Sequence, residues 1–158
     1  MGVMRKALVA AALGLLALPG SALAADTVVG GTVGSELSLA VATPAVMTLT
    51  HASPGTTSSL VTVTSTAPSW TLKVSDGSGT TPGFMDKILG SGPASLTDPL
   101  EWKLSSSGTY NNLSATPATV RTGSLVGTAL VDFRQTLDAA DNVAAADTYN
   151  LTATFTVT

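Results

Sequence analysis

The chain has 158 residues, no cysteine, 11% charged and 4% aromatic residues, and a formal net charge of -3. These values exclude disulfide stapling, thiolate chemistry and cysteine-held zinc or iron–sulfur centres, and they argue against a basic nucleic-acid-binding surface. Much of the polarity is uncharged Thr, Ser and Gly, which suits extended strands better than charged helices.

The first element is an export signal. Arg5 and Lys6 precede an apolar run from Ala7 to Leu18. Pro19 and Gly20 follow it, and Ala22 and Ala24 occupy the -3 and -1 positions of a cleavage site. This tripartite pattern predicts a secretory signal peptide over residues 1–24. Removing it takes away Arg5 and Lys6 but no acid, so the remaining 134 residues carry -5. No cysteine or second long apolar run follows, so neither a lipid attachment nor a transmembrane anchor is expected. Residues 25–158 are long enough for one secreted domain with one core.

Within that domain, strands are expected near 27–33, 37–42 and 45–50. Gly30-Gly31 lacks the ending and following helix of a phosphate loop. Val61 and Val63 alternate with threonines, and Trp70, Leu72 and Val74 alternate with Thr71, Lys73 and Ser75. A period of two marks a half-buried strand. Asp76-Gly77 and Ser78-Gly79 read as turn chemistry, opening a Pro- and Gly-punctuated excursion to about residue 99. Within it, 83–90 could be a turn, a short strand or one helical turn. Leu100–Leu104 is a short strand candidate, and Tyr110, Asn111 and Asn112 read as an exposed loop. Ala129, Val131, Phe133 and Gln135 share one strand face. Residues 138–147 link this strand to the last one, where Tyr149, Leu151, Ala153, Phe155 and Val157 face one way and threonines largely face the other. Seven or eight short strands predict an all-β fold: a single antiparallel β-sandwich, immunoglobulin-like or jelly-roll-like, with a barrel as runner-up.

Trp70-Thr71-Leu72 and Trp102-Lys103-Leu104 both read Trp-x-Leu. With the signal peptide, the Thr/Val-rich strands and the acidic, Gly-rich turn after Trp70, the chain loosely resembles the bacterial WxL-domain surface proteins. That resemblance implies a secreted β-rich protein associated with the cell wall, with wall polysaccharide or peptidoglycan as partner.

The chemical candidates are sparse. His51 is the lone histidine, which excludes a multi-histidine metal site within one chain. Glu36 and Glu101 are the only glutamates, and glycoside hydrolysis would need two facing carboxyls. Asp138, Asp141, Asn142 and Asp147 could offer oxygen ligands to Ca²⁺, although as solvated turn residues they need no metal. The metal question stays open, and no cofactor is expected. Trp70 and Trp102 each share a face with leucines and read as core. Were either exposed, it would join Tyr110 as an interaction residue, stacking on a sugar or docking a partner. The sequence therefore favours a non-enzymatic secreted or cell-surface structural or adhesive protein. The alternatives are a fibre subunit exchanging strands through 27–33 or Tyr149–Val157, which includes self-association, and a carbohydrate-binding module.

Overall fold

The computed structural model describes residues 34, 36–78 and 81–158. The expected leader and the strand near 27–33 lie outside the described residues. Among the described residues there are eleven strands and no helix. They are β1 (Leu37–Val41), β2 (Gly55–Ser65), β3 (Trp70–Ser78), β4 (Phe84–Leu89), β5 (Ser95–Pro99), β6 (Glu101–Leu104), β7 (Asn111–Asn112), β8 (Ala118–Gly123), β9 (Gly127–Gln135), β10 (Thr148–Asn150) and β11 (Thr152–Val157).

Every pairing is antiparallel. One layer is a five-stranded sheet in the order β1-β2-β9-β6-β7. The other consists of two three-stranded sheets, β10-β4-β5 and β11-β3-β8. Only Leu151 separates β10 from β11, so the terminal strand runs along β4 and then along β3. On the opposite side, the Asp76 N–H donates to the Ser114 carbonyl at 2.8 Å and the Leu100 N–H to the Gly83 carbonyl at 2.8 Å. These bonds carry the β8 neighbour of β3 on towards the β5 neighbour of β4. The two small sheets therefore act as one interrupted layer, with β10–β11 along its edge.

The two layers form an antiparallel sandwich, as the alternation implied. Inward residues of β2 and β9 (Val61, Val63, Ala129, Val131 and Phe133) belong to one buried cluster with Trp70, Leu72 and Val74 of β3. Burying each large side chain contributes on the order of 1.5–3 kcal/mol relative to exposure. Phe133 and Phe155 meet edge to face across the layers, with centroids 6.4 Å apart. Such an aromatic pair adds about 0.5–1.5 kcal/mol beyond burial.

Several expectations are corrected. Residues 45–50 form no strand, apart from a single bridge between Thr50 and Ser53. Side chains hold that path instead of a ladder: the Ser59 hydroxyl donates to the Ala42 carbonyl at 2.6 Å and the Thr57 hydroxyl to the Ala45 carbonyl at 2.8 Å. Asp76-Gly77 does not turn. Both residues lie in β3, where the register against Thr152 and Ala153 shifts as in a bulge. The Asp76 carboxylate instead accepts the Gly83 N–H at 2.7 Å, bracing the later turn. The excursion to residue 99 is built into the second layer as β4 and β5, with 83–90 resolving into a strand. Asn111-Asn112 pairs with β6 as the short strand β7, not a free loop. β8 carries no strong alternating signal because Val120 is its only buried residue.

Candidate interaction surface

The outward face of the five-stranded sheet follows from its register. The phase that points Val61 and Val131 inward points Thr56, Ser58, Leu60, Thr62 and Thr64 of β2 outward. On β9 it presents Thr128, Leu130, Asp132 and Arg134. Leu60 sits directly opposite Leu130, and these two are 47% and 44% exposed. An apolar pair is thus set into a field of threonine and serine.

Towards β6 the same face becomes charged and fixed. Glu101 lies opposite Arg134, and Lys103 opposite Asp132. Arg134 approaches the Glu101 Oε2 atom at 2.7 Å through both Nε and Nη2. The Lys103 ammonium is 4.0 Å from Asp132, whose other carboxylate oxygen accepts the Ser58 hydroxyl at 2.8 Å. The Tyr110 ring meets both cations, with Arg134 Cζ 4.1 Å and Lys103 Nζ 4.8 Å from its centroid. Such contacts contribute on the order of 0.5–2 kcal/mol each. Tyr110, expected on an exposed loop, is half-buried and held by these neighbours.

The other two interaction candidates are not exposed. Trp70 and Trp102 retain only 2% and 5% exposure. Trp70 donates its Nε1–H to the Leu125 carbonyl at 3.0 Å, whereas the Trp102 Nε1 finds no partner. Neither indole offers a face for stacking on a sugar, because both share the inward phase with apolar neighbours. This removes the residues on which the carbohydrate-binding reading stood.

The acidic loop is also occupied. Asp141 is fully buried. Its Oδ1 accepts the Thr97 N–H at 2.9 Å and the Thr97 hydroxyl at 3.0 Å, while Oδ2 accepts the Asp138 N–H at 3.0 Å. Asp147 accepts the Ala144 N–H at 2.6 Å and the Ser91 N–H at 2.7 Å. The hydrogen bond from the Ala144 N–H chiefly holds the Asp147 carboxyl below its ordinary range, opposed by partial desolvation; Ser91, Gly92 and nearby Lys87 add to the lowering. Burial raises the Tyr149 phenol above its usual value, and the charges of Asp147 and Asp141 push the same way. The Tyr149 hydroxyl donates to the Pro93 carbonyl at 3.0 Å. These carboxylates tie loop to strand, and among the described residues no cluster of three His, Cys, Asp or Glu could hold a metal ion.

His51 is exposed and donates from Nε2 to the Asp141 carbonyl at 3.0 Å. Glu36 lies at the entrance to β1, where its backbone pairs with Thr66. The Leu60–Leu130 pair escaped sequence reasoning because alternation specifies a strand's two faces but not the register that brings two exposed leucines together.

The fold and this surface define an all-β, antiparallel sandwich module whose outer sheet face carries an exposed leucine pair among threonines and serines beside two ion pairs. No family model, curated protein or solved structure matches the chain.

Proposed function

We propose that residues 1–24 are a removable export leader and that residues 25–158 form a non-enzymatic structural or adhesive module at a bacterial cell surface. Wall polysaccharide or peptidoglycan is the proposed partner, in keeping with the WxL-like motifs. The observation that carries this reading is the outward sheet face, with Leu60 and Leu130 paired among threonines and serines beside the fixed ion pairs. An exposed sheet face of this kind suits contact with an extended partner. The carboxylates of Asp141, Asp147 and Glu101 are meanwhile engaged in holding the scaffold.

Cell fractionation combined with sedimentation on purified walls tests the proposal. The exported chain is expected to start at Ala25 and to co-sediment with walls. The double variant Leu60→Thr/Leu130→Thr is expected to melt within a few degrees of the parent, because both sites are surface strand positions and threonine suits a strand, yet to stay in the supernatant. An exported chain that remains wholly soluble beside purified walls would overturn wall association.

A further inference from the structure

We propose that the open side of the sandwich, between β1 and β10–β11, receives residues 27–33 of a second copy of this chain as an added strand. The inference rests on the proposed removal of residues 1–24, but not on attachment to a wall.

The receiving site is an apolar cleft with an unguarded strand on each lip. Among the described residues, β1 pairs only with β2, β11 only with β3 and β10 only with β4, and β1 and β11 approach each other without pairing. Neither β1 nor β11 contains a charged residue or a proline, the usual devices that blunt an edge. The two ends of β1's inward phase are left unroofed: Leu39 between them packs on the core, but Leu37 and Val41 remain 50% and 45% exposed, although their register partners Ser65 and Val61 are buried. Between the lips lies a cleft of about 290 Å³, whose lining includes Val41, Met47, Phe133, Leu151 and Phe155. It shares Met47, Met85 and Leu151 with a neighbouring space of about 520 Å³, rimmed by Val46, which is 98% exposed. Core side chains are therefore reachable from one side of the molecule. Strand addition suits this geometry, since main-chain bonds satisfy the free edge while alternate side chains fill the cleft.

The segment that fits lies in the same sequence. Residues 27–33 read Thr-Val-Val-Gly-Gly-Thr-Val, without charge or proline. Thr27, Val29, Gly31 and Val33 fall on one face of an extended chain. Seven residues span about 23 Å at roughly 3.3 Å each, enough to run along β11.

The path of β1 favours a second copy over the chain's own segment. At Glu36 the backbone still pairs with Thr66, and the Thr66 hydroxyl reaches the Gly34 carbonyl at 3.4 Å. The chain thus leaves β1 at the end away from Val41. To return, it would need a turn of at least two residues and then about 23 Å of strand to draw level with Val41. A processed chain beginning at Ala25 is used up at that point. Its new α-amino group and Asp26, rather than the valines, would sit in the apolar mouth. Burying those charges without partners is costly. A second copy can place the valines there and leave both charges outside.

The absence of native cysteine makes a direct test available. The exported form carrying Val29→Cys is mixed with the exported form carrying Val41→Cys and oxidised. A disulfide between the unlike chains is expected, whereas a partner carrying Ser106→Cys, on a distant exposed loop, should not cross-link. Light scattering should show concentration-dependent oligomers of the unmodified exported chain, lost on deletion of 27–33. A synthetic peptide of residues 25–33 should then raise the melting temperature of the deletion variant saturably. Three results would overturn the proposal: an unmodified chain that stays monomeric at every concentration, absence of the mixed disulfide, or intramolecular closure of a Val29→Cys/Val41→Cys double variant. All three are read on purified protein, so failure to bind walls leaves them unaffected.

Discussion

At the scale of single residues, the acidic loop shows how carboxylates can be structural without a metal. Asp141 has no solvent exposure and three donors converge on it, two of them from Thr97 in β5. Asp141→Ala would strand those donors, and we expect a loss of roughly 2–4 kcal/mol. Asp141→Asn should cost less because the amide keeps one acceptor oxygen. Urea denaturation checks both, and an unchanged midpoint for the alanine variant would refute the assignment. Asp147 leads to a pH prediction. Its carboxyl titrates below the usual value, mainly through the Ala144 N–H, so the folded state favours the ionised form. The resulting stability is present above the unfolded value of about 3.9 and is lost as pH falls through the lower folded value. Asp147→Asn should therefore flatten the acid limb of the stability profile below about pH 4. Tyr149 has the opposite sign: its phenol titrates above 10.0, so its contribution is full below that pH and fades as pH rises through the folded value.

At the scale of elements, the β8–β9 connection, which crosses from one layer to the other, is shaped around one indole. A Cβ placed on Gly123 or Gly127 would come within 2.3 or 2.4 Å of the Trp70 ring, so both positions need glycine for close approach. Leu125, at the tip, has φ 53° and offers its carbonyl to the Trp70 Nε1–H. Gly123→Ala should destabilise the domain by about 1–3 kcal/mol through overpacking. Trp70→Phe should cost more than Trp102→Phe, because it orphans the Leu125 carbonyl whereas the Trp102 N–H has no partner to lose. Thermal melts of the three variants check that order; equal losses for the two phenylalanine variants would contradict it. These contacts also mark where sequence reasoning stops. The inward faces of β2, β3 and β9 were legible because a period of two survives in nearly every residue. β4, β5 and β8 were not, since they present one or no fully buried residue each, and β5 ends in a proline. Turn chemistry misled at Asp76-Gly77 because pairing with the distant β11 overrode the local preference. The paired Leu60 and Leu130 depend on a contact between strands far apart in sequence, which alternation alone does not encode.

For the molecule as a whole, the connections determine how unfolding should look. β5 belongs to one layer and β6 to the other, and only Leu100 separates them. Phe133 and Phe155 join the layers again through the core. With no cysteine in the chain, packing and pairing alone hold the layers together. A layer that separated would expose the inward faces of both, so neither has a core to keep once the other is lost. The two layers should accordingly melt as one cooperative unit, as small single domains usually do. The tryptophans supply an independent probe for each layer: Trp70 lies on β3, while Trp102 lies on β6 in the five-stranded sheet. In Trp102→Phe the remaining indole reports the interrupted layer, and in Trp70→Phe it reports the continuous one. Within each variant, urea titration followed by indole fluorescence should give the same midpoint and slope as far-ultraviolet circular dichroism, even though the midpoints differ between variants. If fluorescence and circular dichroism separate in either variant, the layers unfold independently and the shared core does not couple them.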